Sequence, residues 1–249
     1  MQKKIFGPAG TKVVIEDFLQ GEEASFIVLC DGKKTIPFAS SQDHKARDNN
    51  DLGPNTGGMG AYSPAPIVTE EIHKQVMEKI IKPTIDGLKS EGITYKGFLY
   101  AGLMIKNSEI SVLEFNCRFG DPETQPILMR MESDLAEICL LAAQGNLNER
   151  EISWTKDSAL GVVIASKGYP FEYEKNKEIN NLENENSRQK VFHAGTKTQE
   201  GKVLSNGGRV LCVTALGSTL LDSKNLAYQK VKNIDWKDGF YRDDIGDKA

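Results

Sequence analysis

LEFNCRFGDPE, residues 113–123, is the stretch from which the fold and the site are best worked out. Its first half is apolar enough for a β-strand, and Glu114 and Asn116 stand two positions apart, so their side chains are predicted to project from one face. A carboxylate beside an amide oxygen suits a hard cation such as Mg²⁺ and leaves coordination positions open for phosphate oxygens. The alternative is that both residues form the polar side of a half-exposed strand.

The residues after this strand add charge at its end. Arg118 is predicted to offer a planar guanidinium fork to an anion held by the metal. The chain turns at 119–122, and Asp121 and Glu123 are expected to add acidity at the same rim. The stretch therefore predicts a place where a cation, an anion and charged side chains meet.

Composition limits the size, compartment and partners of the protein. The 249 residues are enough for a buried core and for one or two domains. The 31 basic and 35 acidic residues give no electrostatic signature of a nucleic-acid or membrane partner. No run approaches the roughly 18 apolar residues of a membrane span, and the start is too short in apolar residues for a signal peptide. We therefore expect a cytoplasmic protein.

The cysteines are interpreted as reduced thiols in the core. They are far apart, mostly inside apolar runs, and form neither a C-x-x-C pair nor a cluster with histidine. Their positions are Cys30, Cys117, Cys139 and Cys212.

Apolar periodicity and turn residues predict an α+β fold in two parts. A boundary is placed at 149–153, and 40–66 and 175–190 are expected to be loops. The predicted strands are 13–18, 24–30, 34–39, 98–105, 109–115, 159–166, 191–194, 202–204 and 209–215. The predicted helices are one after Thr69 that ends at Glu91 and is kinked by Pro83, one over 134–143 capped by Ser133, and one over 219–233.

Several segments could handle phosphate. Residues 54–60, PNTGGMG, contain three glycines whose N–H groups could form an anion nest, and Lys45 supplies a cation ahead of them. The alternatives are that the glycine loop is a flexible turn and that Lys45 is a solvated charge.

The turn between 16 and 23 exposes backbone groups that could contact an adenine edge, and Glu23 could accept hydrogen bonds from ribose hydroxyls. The P-loop, G-x-G-x-x-G and H-E-x-x-H motifs are absent from the sequence.

Five longer motifs occur in one order: VIEDFLQGEEASF at 14–26, SQDHK at 41–45, GPNTGGMGAYSP at 53–64, GFLYAGL at 97–103 and EFNCRFGDPE at 114–123. Together they resemble the glycinamide ribonucleotide synthetase family, the phosphoribosylamine–glycine ligases. The resemblance continues at 161–163, 191–196 and 207–211, so it extends over nearly the whole chain. It implies an ATP-grasp fold, with the second half of the grasp in residues 1–150 and a small mixed α/β carboxy-terminal domain in 151–249.

The resemblance also implies a reaction and its participants. These enzymes use ATP to activate glycine as an acyl phosphate, which the amine of 5-phosphoribosylamine then attacks. ATP and Mg²⁺ or Mn²⁺ are the expected cofactors, and a monomer is expected. The implied site residues are Glu16, Phe18 and Leu19 at the adenine, Glu23 at the ribose, Asn55, Thr56, Gly57 and Gly58 at the phosphates, Asp43, Lys45, Arg118 and Asp121 in catalysis, and Glu114 and Asn116 at the metal.

The sequence departs from the family in two respects. Many ATP-grasp enzymes carry a third metal-binding acid on the preceding strand, but residues 100–103, YAGL, contain none. The family also has an amino-terminal domain and the first half of the grasp ahead of the point where this sequence starts. We therefore expect the chain alone to keep the metal pair but to bind ATP poorly.

Two other functions stay open at this stage. One is a non-catalytic nucleotide-binding module, and the other is a different carboxylate–amine ligase of the same fold, such as a carboxylating or formate-using relative. From the carboxy-terminal part, His193 and Arg209 are expected to close one side of the site. The alternative for His193 is an ordinary strand residue.

Overall fold

The computed structural model describes residues 7–148, 150–183 and 186–249. The strands in chain order are β1 (Glu22–Asp31), β2 (Thr35–Pro37), β3 (Gln42–Asp43), β4 (Ala46–Asp48), β5 (Leu52–Asn55), β6 (Gly60–Ser63), β7 (Lys96–Lys106), β8 (Glu109–Asn116), β9 (Ser158–Ser166), β10 (Glu178–Ile179), β11 (Gln189–His193), β12 (Thr196–Gln199), β13 (Lys202–Ser205), β14 (Arg209–Gly217) and β15 (Gly239–Phe240). The helices are α1 (Glu70–Val76), α2 (Lys82–Ser90), α3 (Thr124–Arg130), α4 (Leu135–Gln144) and α5 (Leu220–Asn233).

The first sheet has the strand order β2-β1-β7-β8, and all its pairs are antiparallel. β1 is apolar on both faces because helices cover both. Phe26 and Val28 pack with α1 on one face, whereas Ile27 and Leu29 pack with α3 and α4 on the other. The predicted strands at 24–30, 98–105 and 109–115 are confirmed as β1, β7 and β8.

A long helical segment covers one face of this sheet. The Thr69 side chain caps it by accepting from the Ile72 N–H at 3.3 Å, as predicted. A π-helical turn, Met77–Ile81, separates α1 from α2, and the Lys82 N–H donates to the Met77 carbonyl. The predicted irregularity therefore lies one turn before Pro83, which itself occupies the first turn of α2, where its missing N–H is tolerated.

The second sheet combines strands from both parts of the sequence. Its order is β11-β14-β9-β6-β3, with β15 also paired to β9. α5 packs on this sheet through Ala227, Tyr228 and Val231, and its first turn has a reciprocal capping box between Thr219 and Asp222. β3 pairs with β6 in this sheet, and the adjacent Ser41 forms a bridge with Ser25 of β1, so this segment contacts both sheets. The boundary at 149–153 stays a prediction, and its first residue, Glu149, lies outside the described residues.

β8, the strand that carries Glu114 and Asn116, is interrupted by a β-bulge. Register with β7 changes between Leu103, which faces Val112, and Gly102, which faces Glu114. Leu113 is therefore the extra residue on β8, immediately before the pair. The turn before this strand uses positive φ angles at Asn107 and Ser108.

Several sequence expectations are wrong. Residues 13–18 form no strand but an exposed segment, because within the described ranges no sheet edge pairs with them. The predicted loop 40–66 contains β3 to β6, and the predicted loop 175–190 contains β10; Asn184 and Glu185 of that loop lie outside the described residues. α3 was not predicted, and Asp134 rather than Ser133 caps α4.

Two further observations concern the cysteines and the helices. Cys30 and Cys212 are buried and Cys139 is partly buried, but Cys117 is exposed. The prediction of core thiols is therefore wrong for Cys117, because the strand ends before this residue.

Within the described residues, no helix combines the length and the apolar character needed to cross a membrane.

Candidate functional site

The Glu114 and Asn116 side chains lie together on the exposed side of β8. The Asn116 Nδ2 donates to the Glu114 Oε1 at 3.0 Å, so the prediction that they share a face is confirmed. Glu114 is exposed and Asn116 is partly exposed, so neither is sealed beneath apolar residues. Gly102 on β7 faces Glu114, and a Cβ there would stand 3.3 Å from the Glu114 Cγ, so glycine gives room to this side chain.

A lysine and a glutamate meet next to this pair. The Lys45 Nζ lies 3.2 Å from the Glu23 Oε2, and both side chains are partly exposed. Burial alone would lower the pKa of Lys45, but the negative charges of Glu23, Asp43 and Glu114 raise it above its ordinary value. Lys45 is therefore a fixed cation between the predicted ribose contact and the predicted metal pair.

A buried group of polar side chains lies behind Lys45. Glu123 is almost fully buried, and its Oε1 accepts from the Ser25 hydroxyl at 2.7 Å. The Ser25 oxygen lies 2.9 Å from the Tyr100 hydroxyl. The expectation that Glu123 belongs to the exposed rim is wrong, because the turn after β8 directs this side chain inward to Ser25.

Asp43 faces this group, and its surroundings favour its protonated form. It is partly buried by surface area, but its Oδ1 is enclosed and has no hydrogen-bond partner among the described residues. Burial, followed by the charge of Glu123, raises the pKa of Asp43 well above its usual range. Asp43 is thus poised to carry a proton at pH values where a surface aspartate is ionised.

The glycine loop lies directly over Asp43. Gly58 has φ +111°, and a Cβ there would stand 2.4 Å from the Pro122 Cδ and 2.6 Å from the Asp43 Oδ1. Only glycine fits, because both the backbone conformation and the close approach exclude a side chain. Gly58 therefore joins the loop to the turn that follows β8.

The amides of this loop are already bonded within the protein. The Thr56 N–H donates to the Lys45 carbonyl at 2.8 Å, and the Met59 N–H donates to the His44 carbonyl at 2.8 Å. The Gly58 N–H donates to the Thr56 Oγ1 at 3.0 Å, and the Gly57 N–H donates to the Tyr169 hydroxyl at 2.9 Å. The expectation of an open anion nest is wrong for these four amides, because each already donates to a carbonyl or hydroxyl of the protein.

Arg209 connects the loop to the turn after β8. Its Nη1 donates to the carbonyls of Gly57 and Asp121, each at 2.7 Å, and its Nη2 lies 3.3 Å from the Asp121 Oδ2. Arg209 therefore contacts both segments, and its role in closing one side of the site stays a prediction. His193 is exposed at the end of β11, where its Nδ1 lies 3.0 Å from the Thr196 Oγ1.

The other predicted residues are less constrained. Arg118 is exposed, and its Nη1 donates to the carbonyl of the next residue, Phe119, at 3.0 Å. Asn55 is exposed at the end of β5. Glu16, Phe18 and Leu19 lie in the exposed 12–20 segment, with Phe18 90% exposed, so the structure does not bring them to the rest of the site.

Ser25, Tyr100 and Tyr169 are functional candidates that sequence reasoning missed. Ser25 and Tyr100 are buried inside apolar strand runs, where the hydroxyl group within each run was the available signal. Tyr169 is more than a hundred positions from the loop it contacts, and nothing local to it indicates that contact.

The residues fit a hard cation. Glu114 and Asn116 supply oxygen donors side by side at an accessible position, and rotation of the Asn116 amide would turn its Oδ1 toward the same point. Among the described residues, no group of three or more His, Cys, Asp or Glu side chains is arranged for a metal ion. A site with so few protein ligands is typical of Mg²⁺ that is also bound by substrate phosphates.

Comparison with protein families gives two matches in order along the chain. The family model "Phosphoribosylglycinamide synthetase, ATP-grasp (A) domain" matches residues 1–124, and the "C domain" model of the same synthetase matches residues 159–248. The predicted fold class, an ATP-grasp portion followed by a mixed carboxy-terminal domain, is confirmed. This is the fold in which the Glu114 and Asn116 pair lies at the end of an antiparallel sheet.

Named relatives agree with these matches. The chain is 55% identical to a phosphoribosylamine–glycine ligase of Pasteurella multocida and 58% identical to one of Allochromatium vinosum, over 98% of this chain in both. It spans 57% and 58% of the length of those two relatives.

Solved structures give the same result. A phosphoribosylamine–glycine ligase from Thermotoga maritima matches 93% of this chain and 57% of its own length with a TM-score of 0.85 and 33% identity. A urea carboxylase from Kluyveromyces lactis matches 88% of this chain with a TM-score of 0.62 at 14% identity, a likeness of fold alone.

Proposed function

Because this chain belongs to the phosphoribosylglycinamide synthetase family, we propose that it carries part of the active site of an ATP-dependent carbon–nitrogen ligase. The proposed reaction joins glycine to 5-phosphoribosylamine through glycyl phosphate and gives glycinamide ribonucleotide, ADP and phosphate, a step of purine synthesis. The relatives that share its sequence carry the name of this activity. The participants are small molecules.

The observation that carries the proposal is the contact between Glu114 and Asn116 beside Lys45. Two oxygen-bearing side chains 3.0 Å apart, next to a fixed cation, suit a nucleotide whose phosphates bind metal and lysine together. Phosphoryl transfer needs chiefly such positioning and neutralisation of charge. When Mg²⁺ or Mn²⁺ is bound here, it would neutralise charge on the phosphates.

The remaining residues receive roles by position. Glu23 is proposed to bind the ribose, and Glu16, Phe18 and Leu19 the adenine. Asp43 is proposed to accept a proton from the reacting amine when it is ionised, because its raised pKa makes this carboxylate a stronger base than a surface aspartate. The residues proposed to shape the phosphate and substrate side are Asn55, Thr56, Gly57, Gly58, Arg118 and Asp121.

Metal binding by the chain itself is the first test. Mn²⁺ titrated into the protein should broaden NMR signals of residues around β8, and Glu114→Gln should weaken this binding about tenfold or more. Glu109→Gln is the matched control, because Glu109 is an exposed glutamate at the other end of the same strand. Equal Mn²⁺ binding by both variants would remove the physical basis of the proposal.

The reaction is tested by ADP release. The chain would be assayed alone and after fusion to the amino-terminal part of the Pasteurella multocida relative. We expect release with glycine plus phosphoribosylamine in the fusion and little in the chain alone. Faster release with formate or bicarbonate would favour another ligase of the same fold, and ligation by the chain alone would contradict the expected weak ATP binding.

A further inference from the structure

The 241–248 segment crosses back onto the part of the chain that contains Asp43 and Lys45. Its central residue, Arg242, is 1% exposed and makes a two-pronged ion pair with Asp244, with both distances 2.7 Å. The Arg242 Nη1 also donates to the Ala46 carbonyl at 3.0 Å and to the Asp51 Oδ1 at 3.1 Å. One guanidinium therefore ties this segment to the residue that follows Lys45 and to the loop beyond it.

Other contacts extend the attachment along both edges of the site. The Asn50 N–H donates to the Asp244 Oδ2 at 2.8 Å, and Lys248 forms an ion pair with Asp51. The Gly246 N–H lies 3.4 Å from the His44 Nε2. The segment thus contacts the chain on both sides of Lys45.

A buried isoleucine extends the attachment to the glycine loop. Ile245 is fully buried and packs against the loop end, where a Cβ on Gly60 would lie 2.9 Å from its Cγ1. Its N–H donates to the Tyr228 hydroxyl at 3.0 Å, and that hydroxyl donates to the Arg242 carbonyl at 2.7 Å. These bonds anchor the segment to α5.

A cavity of about 250 Å³ lies between Lys248, near the end of this segment, and the proposed site residues. Glu23, Asp43 and Lys45 line it together with Asp51 and Lys248. The shape of this cavity therefore depends on where the 241–248 segment lies. Arg242 touches none of the proposed catalytic side chains, so it acts on them through the backbone of Ala46.

We propose that Arg242 is a positioning residue, and that the 241–248 segment is a clamp that holds Asp43 and Lys45 in place for the proposed ligase reaction. Its functional consequence rests on the proposed function, but the positioning itself does not. Loss of Arg242 would leave the Asp51 and Asp244 carboxylates without the cation between them, and the 44–56 segment would lose its backbone support.

Amide hydrogen exchange measures the positioning directly. In Arg242→Met we expect exchange at His44, Thr56 and Met59 to rise about tenfold or more, because their N–H bonds hold the site segment and the glycine loop together. Exchange at the β1 amides, paired with β7, should stay unchanged.

Arg130→Met is the matched control. Arg130 is also a buried arginine that donates to backbone, with the Asp157 carbonyl at 2.7 Å and the Thr155 carbonyl at 3.3 Å. Its Nη1 also donates to the Ser63 Oγ at 2.9 Å, at the end of β6 away from the glycine loop. Its loss should leave the His44, Thr56 and Met59 amides unchanged. An equal rise at β1 and at the site in Arg242→Met, or no rise at the site, would overturn the proposal.

Two further variants cover the case in which Arg242→Met does not fold. Arg242→Lys keeps the charge but cannot reach Asp244, Asp51 and Ala46 at once, so we expect an intermediate rise in exchange at the same amides. Lys248→Met removes an ion pair on the surface, where the side chain is 51% exposed, and should raise exchange in 46–55 by a smaller factor. No change in either variant would contradict the clamp.

His44 supplies a spectroscopic signature of the clamp. Burial, followed by the charges of Arg242 and Lys248, lowers the pKa of His44 to about 4, against the opposing charge of Asp244. Imidazole NMR should therefore show a neutral ring at pH 6 in the wild type and in Arg130→Met. In Arg242→Met the ring should titrate nearer its ordinary range, about 6.5.

The ADP-release assay in the fusion protein connects the clamp to catalysis. We expect kcat/KM to fall about tenfold or more in Arg242→Met, to recover partly in Arg242→Lys and to stay within about twofold in Arg130→Met. If the wild-type fusion ligates nothing, the proposed function fails while the exchange result still decides the clamp. Wild-type kcat/KM in a folded Arg242→Met would overturn the positioning role.

Discussion

The 55–60 loop and the 12–20 segment are both predicted to contact the nucleotide, yet the loop is packed against the protein and the segment is exposed. The loop packs against Asp43 and Pro122, and its four successive amides at 56–59 donate hydrogen bonds within the protein. In the 12–20 segment every side chain is exposed, including Phe18. A binding segment has a defined shape when its backbone and apolar groups find partners in the same chain, and the predictions below test that difference.

The largest effect should come from Gly58→Ala. The new Cβ would collide with Pro122 and Asp43 in a backbone conformation that alanine avoids, so the free energy of unfolding should fall by about 3 kcal/mol. Gly92→Ala is the control, because Gly92 also has a positive φ, +79°, but has open space around it; we expect about 1 kcal/mol there. Equal losses in denaturant unfolding would show that the loop is not closely packed.

Arg209→Met should loosen the loop from the turn after β8. Loss of its bonds to the Gly57 and Asp121 carbonyls should lower the free energy of unfolding by about 2 kcal/mol and speed proteolysis in 55–60. Arg188→Met is the control, because Arg188 is about half exposed and pairs only at the surface with Asp157, so about 0.5 kcal/mol is expected. If the 55–60 loop of Arg209→Met resists protease as well as it does in the wild type, Arg209 does not order this loop.

The pH dependence of stability should differ between two aspartates. Because the pKa of Asp43 is raised in the folded state, its contribution is present below the ordinary pKa and is lost as pH rises through the raised value. Asp43→Asn should therefore gain stability relative to the wild type as pH rises from the ordinary pKa of about 3.9 to the raised value, by on the order of 1 kcal/mol per pH unit.

Asp31→Asn is the matched comparison of opposite sign. Burial alone would raise the pKa of Asp31, but hydrogen bonds from the Lys34, Lys33 and Leu147 amides lower it overall. Its contribution is present above the ordinary pKa and is lost as pH falls through the lowered value, so Asp31→Asn should lose most relative to the wild type at neutral pH. Parallel pH profiles for the two variants would contradict the assignment of Asp43.

The smallest effect should come from Phe18→Ser in the exposed segment. Phe18 is 90% exposed, so the free energy of unfolding should change by no more than about 0.5 kcal/mol. Phe26→Ser, at a position 1% exposed, should instead cost about 4 kcal/mol. A loss above about 1 kcal/mol in Phe18→Ser would mean that the 12–20 segment packs against the protein after all.

Sequence patterns determined the main strands, the helix after Thr69 and the shared face of Glu114 and Asn116. These features depend on local periodicity, caps and turns, which are determined by residues close together in the sequence. The same patterns wrongly predicted a strand at 13–18, because an apolar β-branched run does not show whether another strand pairs with it.

Tertiary structure alone decided how the site is assembled. Glu123 turns inward to Ser25, Arg209 joins the glycine loop to Asp121, and Arg242 supports Ala46 across almost two hundred positions. A hydrogen bond between distant residues leaves no period and no spacing in the sequence. The chemical parts of the site could therefore be predicted from residue type, whereas their protonation, support and burial depend on long-range contacts that only the folded chain creates.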